Sequence, residues 1–420
     1  MAHADVVVVG GGAWGLSIAW HVATGYGMSV LVVERRTSPG LETSGQAAGQ
    51  LGQVREVALA REAARYALEF AASLARRRDP ASFVRSGSVT LVETELAAAR
   101  LRARFAAASA AGVAVDAVSG AEAARLVPGL TGKFAAHYVV PGDGYVDPPR
   151  YLAALAADLA AFGVDVIGDA DVTALDVAGT RVVGVRTARG LTSAGAVVLA
   201  AGPWTPSLVP HTRGSLAAQP IPLRQARTVA CGVSRDHPVV RFPEIGAYVR
   251  PESGGYLFGA FEPPPGDLLA RLEPEVRTSQ LGSDPARSAK TKARLARWIP
   301  ALGATAVDHC RQGWTIFTPD GLPLAGRHCE LTNLWVATGC GAMGFVWASS
   351  LGRWLAQSIV EDRAIPVLAP LDPARFGRRA LDPLWVRDEG VRRHVDYYGM
   401  TNAWSDPEAA GPSAEHYACK

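Results

Sequence analysis

A glycine-rich turn held between a strand and a helix constrains this chain more than any other feature. Residues 6–9 are a run of valine, Gly10-Gly11-Gly12-Ala13-Trp14-Gly15 follows at once, a helical stretch covers 13–24, and 29–33 again reads as a strand. Strands that are apolar throughout, rather than alternating, belong to a parallel sheet covered on both faces. In that setting G-x-G-x-x-G brings backbone amides and a helix N-terminus to a pyrophosphate. Gly10 gives the tight turn, Gly12 lets the backbone approach the phosphates, and Gly15 lets the helix pack closely. Glu34 ends the second strand nineteen residues beyond Gly15. Its carboxylate can accept hydrogen bonds from ribose hydroxyls and would repel a 2′-phosphate. A bound dinucleotide is expected, with NADP disfavoured and both FAD and NAD open at this point.

The chain has 420 residues, 49% hydrophobic and 19% charged, enough for two or three domains with sizeable cores. Wholesale disorder is excluded. Lysine and arginine exceed aspartate and glutamate by only 42 − 39 = 3, without a long single-sign block, so no nucleic-acid partner is expected. The one tight basic cluster, Arg76-Arg77-Arg78, reads as a solvated helix end. Cys231, Cys310, Cys329, Cys340 and Cys419 lie far apart with no Cys-x-x-Cys pair, so neither a disulfide framework nor a metal site is expected. The first five residues lack a basic signal-peptide start, which fits a cytoplasmic location. Glycines 10, 11, 12, 15, 25 and 27 break the apolar stretch 6–33, so it is not read as a membrane span.

Helices are expected over 56–78, 96–111, 149–161, 288–298 and 344–360, and strands over 86–92, 165–167, 181–187, 196–200 and 334–336. The region 219–259 alternates strand-like runs (228–233, 247–250, 256–259) with proline and glycine turns, and reads as an antiparallel second layer. Residues 262–266 form a proline-rich turn. After Pro366 the sequence turns charged and aromatic, with Trp385, Tyr397, Tyr398 and Trp404, and 406–420 are expected to be flexible.

Five later segments accompany the fingerprint: 42–50 (ETSGQAAGQ), 142–148 (GDGYVDP), 197–204 (VVLAAGPW), 318–326 (TPDGLPLAG) and 337–345 (ATGCGAMGF). In this order, over roughly 5–376, they make the chain resemble the D-amino-acid oxidase and glycine/sarcosine oxidase (DAO) family of FAD-dependent oxidoreductases. Asp372-Pro373-Ala374-Arg375-Phe376, Trp385 and Tyr397-Tyr398 further resemble the end of the FAD portion of dimethylglycine and sarcosine dehydrogenases.

The resemblance implies an α/β plus α+β fold, in which a Rossmann-like FAD-binding domain is interleaved with a substrate domain built on an antiparallel sheet. The FAD-binding domain would comprise 1–80, 145–218 and 306–368, the substrate domain 81–144 and 219–305, and a C-terminal extension 369–420. Extended FAD would touch Ala13, Trp14 and Arg35 beside the fingerprint. Thr43, Ser44, Gln46, Ala47, Gly49, Gln50 and Leu51 would pass along the flavin and its ribityl chain. Val172 would meet the adenine through its main chain, and Ala201, Gly202 and Trp204 would also contact the cofactor. Gly339, Gly341, Ala342, Met343 and Gly344 would bring amides to the pyrimidine end of the ring, where charge gathers on reduction. Some relatives attach FAD through a histidine where Gln46 stands, and others through a cysteine where Gly313 stands, with Cys310 off register. Noncovalent FAD is therefore expected.

The activity implied is oxidation of the C–N bond of an amino acid or N-alkyl amino acid to an imine, by hydride transfer to flavin N5 and then hydrolysis. Arg311, near Trp314, suits a carboxylate through two parallel hydrogen bonds. Tyr248, Arg250 and Tyr256 are the other candidates for orienting substrate. Arg224 and Gln225 lie at a strand entrance, and His21 reads as structural. Val346 follows Phe345 where monomeric sarcosine oxidases carry a lysine, and no lysine lies on the 256–261 strand. The electron acceptor is accordingly either oxygen or another molecule. Rival readings are a dehydrogenase of a cyclic imino acid or polyamine derivative, a flavin-bearing scaffold subunit needing a partner, and a free-NAD dehydrogenase. A homo-oligomer is left open.

Overall fold

Strand β1 (His3–Val9) and strand β2 (Val30–Val33) run parallel, joined by helix α1 (Ala13–Tyr26). The computed structural model describes residues 3–209, 215–264, 266 and 272–400, so Trp404, Cys419 and the tail expected to be flexible lie outside it. Val6 and Val8 face α1, α2 (Ala58–Arg77), α5 (Pro148–Ala161) and α8 (Gly344–Val360). Val7 and Val9 face the opposite core, shared with β10 (Val172–Ala178) and β11 (Arg181–Thr187). Burial on both faces explains the unbroken valine runs, each such side chain stabilising by roughly 1.5–3 kcal/mol. The parallel centre runs β9 (Asp165–Ile167), β2, β1, β12 (Gly190–Leu199) and β19 (Leu334–Thr338). Strand β18 (Leu324–Arg327) adds antiparallel to β19, and β11 to β12. Strand β12 begins six residues before the strand expected at 196–200, because its first part pairs with β11. Helices α1 and α8 touch at Gly352, where a Cβ would strike the Ser17 carbonyl and the His21 ring.

The second sheet runs β17 (Val307–Phe317), β13 (Gln219–Thr228), β16 (Gly255–Ala260), β15 (Ala247–Glu252), β14 (Val239–Phe242), β5 (Ser88–Val92), β7 (Ala136–Val140) and β6 (Asp116–Ala117). All neighbours are antiparallel except β14 and β5. One face shares a core with residues of α4 (Gly120–Leu126), α6 (Pro285–Leu295) and α7 (Pro300–Ala304). Helix α3 (Glu95–Ala110) packs Leu101 and Phe105 against Tyr138 and Val140. A small sheet of β3 (Gln50–Leu51), β8 (Gly144–Val146) and β4 (Phe83–Val84) completes the strands. Helix α9 (Pro383–Val395) docks through His394, whose ring lies against Phe261 and Phe317.

Three expectations are corrected. The strand expected at 228–233 lies earlier, at Gln219–Thr228, and beyond it the Cys231 and Val233 amides turn to the Gly254 carbonyl. Pro220 and Pro222 fit because that half of β13 pairs with β17 alone, while β16 pairs only with 225–227. Residues 307–317, placed with the FAD-binding part in the division above, are the edge strand of the second sheet. The Arg76 to Arg78 cluster is also not simply solvated. Arg77 and Arg78 ion-pair with buried Asp158 at 2.9 and 2.6 Å.

Candidate functional site

A long cleft starts at the C-terminal ends of β1 and β2 and continues to the second sheet. At its first end Gly10, with φ +108°, turns the chain away from β1, and a Cβ on Gly15 would fall on the Gly10 carbonyl. No side chain caps α1 at Gly12, and the amide of Ala13 donates to the Ser44 hydroxyl at 3.1 Å. Buried Glu34 accepts from the amides of Gly11 at 2.6 Å and Arg36 at 2.8 Å. Burial pushes its carboxyl above the ordinary range, against the pull of those two bonds.

Arg35 lies over the Trp204 ring at 4.6 Å and pairs with Asp171 at 3.1 Å. Arg277 reaches the same carboxylate at 3.0 Å, and Thr278 donates its amide to Glu42. The segment around Pro274 is thereby drawn against this end of the cleft.

The turn between β19 and α8 forms the middle of the cleft. Ala342 holds φ +58°, a conformation that costs a residue with a Cβ roughly 1–2 kcal/mol. Helix α8 starts without a side-chain cap, so its first amides, at the positive end of the helix dipole, have no side-chain acceptor. The Trp14 indole donates to the Gly344 carbonyl at 2.7 Å, which joins this turn to the fingerprint.

The residues named for the cofactor converge on this one cleft. All of them line it except Gly15, Leu51 and Gly341. Gly15 and buried Leu51 shape the turn and the core behind it, and Gly341 binds its amide to the Ile316 carbonyl. Gln46 and Gly313 line the cleft, whereas Cys310 does not and its thiol points to Ser288 at 3.8 Å. Uncapped helix starts, a glycine turn and a buried ribose-type acceptor in one cleft fit an extended dinucleotide. Among the described residues no cluster of three or more His, Cys, Asp or Glu side chains could hold a metal, and no helix is long and apolar enough to cross a membrane.

Of the four substrate candidates only Tyr248 lines the cleft. Arg250 and Tyr256 line a separate small cavity behind it. Arg311 is committed to Glu252, with bonds of 3.0 and 2.9 Å, and Arg250 shares the same carboxylate at 2.6 Å. These arginines therefore face a protein carboxylate rather than the cleft. Arg224 bonds to Gln312, while its neighbour Gln225 lines the cleft.

Residues not singled out for this role join Tyr248 at the far end. Phe261 stacks on Tyr397 at 3.9 Å, Tyr398 meets Phe261 edge-on at 5.7 Å, and Tyr248 lies 6.2 Å from Phe261. The Tyr248 hydroxyl is buried without a hydrogen-bond partner, and burial pushes its pKa up. Arg241 pairs with buried Asp143 at 3.2 Å, and Arg104 donates to the Tyr398 carbonyl at 2.8 Å. Arg55 also lines this end, its Nε buried without a partner, and it makes no ion pair among the described residues. Tyr248 and the Tyr397-Tyr398 pair are the parts of this end that stand out in sequence. Nothing local marks Arg55 or Arg241.

The family model described as FAD dependent oxidoreductase (DAO) matches residues 5–358. The 4-methylaminobutanoate oxidase (formaldehyde-forming) of Paenarthrobacter nicotinovorans is 30% identical over 366 residues, covering 85% of this chain and 44% of that protein. The mitochondrial dimethylglycine dehydrogenase of Mus musculus is 26% identical over 97% of this chain and 47% of that protein. The chain thus spans less than half the length of these two relatives. The crystal structure of L-proline dehydrogenase from P. horikoshii superposes with a TM-score of 0.78 at 23% identity, covering 89% of this chain and 98% of that one, a likeness of fold.

Proposed function

The chain belongs to the family of FAD-dependent oxidoreductases, and from that membership we propose that it oxidises the C–N bond of an N-alkylated amino acid, with FAD held noncovalently. Its cofactor is FAD. In this reading the first sheet and its helices carry the cofactor and the second sheet carries the substrate. The observation that carries the proposal is the far end of the cleft, where one unpaired arginine stands beside an aromatic box.

Arg55 supplies a guanidinium without a carboxylate partner, suited to a substrate carboxylate through two parallel bonds. Tyr248, Phe261, Tyr397 and Tyr398 supply ring surface, which attracts an alkylammonium and excludes water. The same desolvation lowers the amine's pKa and favours the neutral form that oxidation requires. Tyr248 is kept protonated by burial, and its ring forms part of the cleft wall. FAD, when bound, supplies the two-electron acceptor for the hydride leaving carbon. Water then hydrolyses the imine to an amine and a carbonyl compound. Two relatives carry names that specify N-methylated amino acids, in keeping with this substrate class.

The test is an anaerobic titration of the yellow holoprotein with N-methyl amino acids, D-amino acids and cyclic imino acids. Bleaching of the oxidised flavin band by an N-methyl amino acid at the lowest concentration is expected. Preferential bleaching by a cyclic imino acid or a primary amine would reject the N-alkyl assignment.

A further inference from the structure

Three consecutive carbonyls of the loop ahead of β3 are held by side chains from the second sheet. Gln225 on β13 donates Nε2 to the Gln46 carbonyl at 2.7 Å. Arg311 on β17 donates Nη2 to the Ala47 carbonyl at 3.2 Å, and Arg250 on β15 donates Nε to the Ala48 carbonyl at 2.5 Å. Glu252 joins the two arginines, accepting from both, and all three side chains are at most 10% exposed. The strands set this spacing. Gln225 is registered with Arg311 on one side and Gly259 on the other, and Gly259 is registered with Tyr248, two residues from Arg250.

Two guanidinium groups share one carboxylate here, so the cluster keeps an excess positive charge out of water. Such a cluster is an expensive way to stabilise a fold, because desolvation offsets the attraction between its members. It does specify direction. In a planar trans peptide the N–H points opposite to the C=O. Carbonyls of Ala47 and Ala48 held toward the second sheet turn the amides of Ala48 and Gly49 the other way, and both residues line the cofactor cleft.

We propose that Arg250, Glu252 and Arg311 are positioning residues that aim the Ala48 and Gly49 amides at bound FAD. This is independent of which amine the enzyme oxidises, and its test needs no substrate. Without Arg311 the Ala47 carbonyl is free to rotate, and the amide coupled to it loses its fixed aim. Arg311→Gln is expected to weaken FAD binding about tenfold, equivalent to about 1.4 kcal/mol. The shape of the visible flavin band should change and the reduction potential should fall, since fewer donors then stabilise the reduced ring. The melting temperature of the apoprotein should stay close to that of the parent.

Arg311→Lys keeps the charge but not the planar fork that reaches Glu252 and Ala47 together. It is expected to resemble Arg311→Gln. Full rescue by lysine would show that charge alone matters and would overturn the positioning role, as would an unchanged affinity, spectrum and potential in Arg311→Gln. Should that variant yield no soluble protein, Arg250→Lys reads the clamp at the Ala48 carbonyl, with about a tenfold loss of FAD affinity expected because an ammonium cannot hold that carbonyl and Glu252 together. No change there would equally reject the proposal.

Discussion

The indole of Trp14 donates to the carbonyl of Gly344 at 2.7 Å across 330 residues of sequence, so the starts of α1 and α8 are fixed to each other beside one cleft. Both helix starts lack side-chain caps, and both aim partial positive charge into the same space. Trp14→Phe keeps the ring and loses this bond, at a cost of roughly 0.5–1.5 kcal/mol, since the Gly344 carbonyl at the start of α8 keeps its intrahelical partner. Isothermal titration of the apoprotein should show FAD affinity reduced by about tenfold. Unchanged affinity would mean that the two helix starts hold their places without the bond.

Arg55 is the test of the substrate reading. Arg55→Met preserves much of the stem and removes the cation, and about a hundredfold rise in KM for a carboxylate-bearing amine is expected from loss of a charge-assisted pair. Turnover at saturation should change far less. Steady-state kinetics with the acid and with its amide separate the roles, because the amide should be nearly indifferent to the substitution.

Tyr397 and Tyr398 enter the cleft from the C-terminal extension. Tyr397→Ala removes the ring stacked on Phe261, and a loss of roughly 0.5–2 kcal/mol in binding an alkylammonium is expected. A panel of N-methyl, N,N-dimethyl and primary amines should show the largest rise in KM for the most alkylated member. An equal rise for all three would make the tyrosine a structural wall only.

His21 and His394 give the protein a defined acid sensitivity. Burial pushes both from an ordinary value of 6.5 down to about 4, so they are neutral in the folded state. Between those values the unfolded chain takes up protons that the folded chain refuses. The stability from each is therefore complete above about pH 6.5 and is lost progressively as pH falls through the window toward 4. Melting temperature measured from pH 7 to pH 4 should decline through that interval. His394→Gln should flatten part of the decline.

The end of the cleft that we assign to the cofactor is legible in sequence because its determinants are local. Gly10 to Gly15 is one turn, and Glu34 follows one strand later, so spacing alone carries the geometry. The substrate half is not local. Arg250 and Arg311 are of the type that binds carboxylates, but Glu252 reaches them first through the pairing of β15, β16, β13 and β17. Arg55 is the converse case, an unremarkable residue after β3 whose Nε tertiary packing buries without a hydrogen-bond partner, and which makes no ion pair among the described residues. Strand β13 lies ahead of the run expected at 228–233 and takes in Pro220 and Pro222, which the one-sided pairing of that segment accommodates.

The cleft is furnished by parts of the chain that are made at different times. Its fingerprint emerges from the ribosome first, α8 only after residue 344, and α9 with Tyr397 and Tyr398 later still. A nascent chain that has completed α8 already holds both helix starts, while the aromatic wall at the other end is still missing. A chain ending after α8 would thus keep the two joined helix starts and lack the Tyr397 and Tyr398 rings that line the other end.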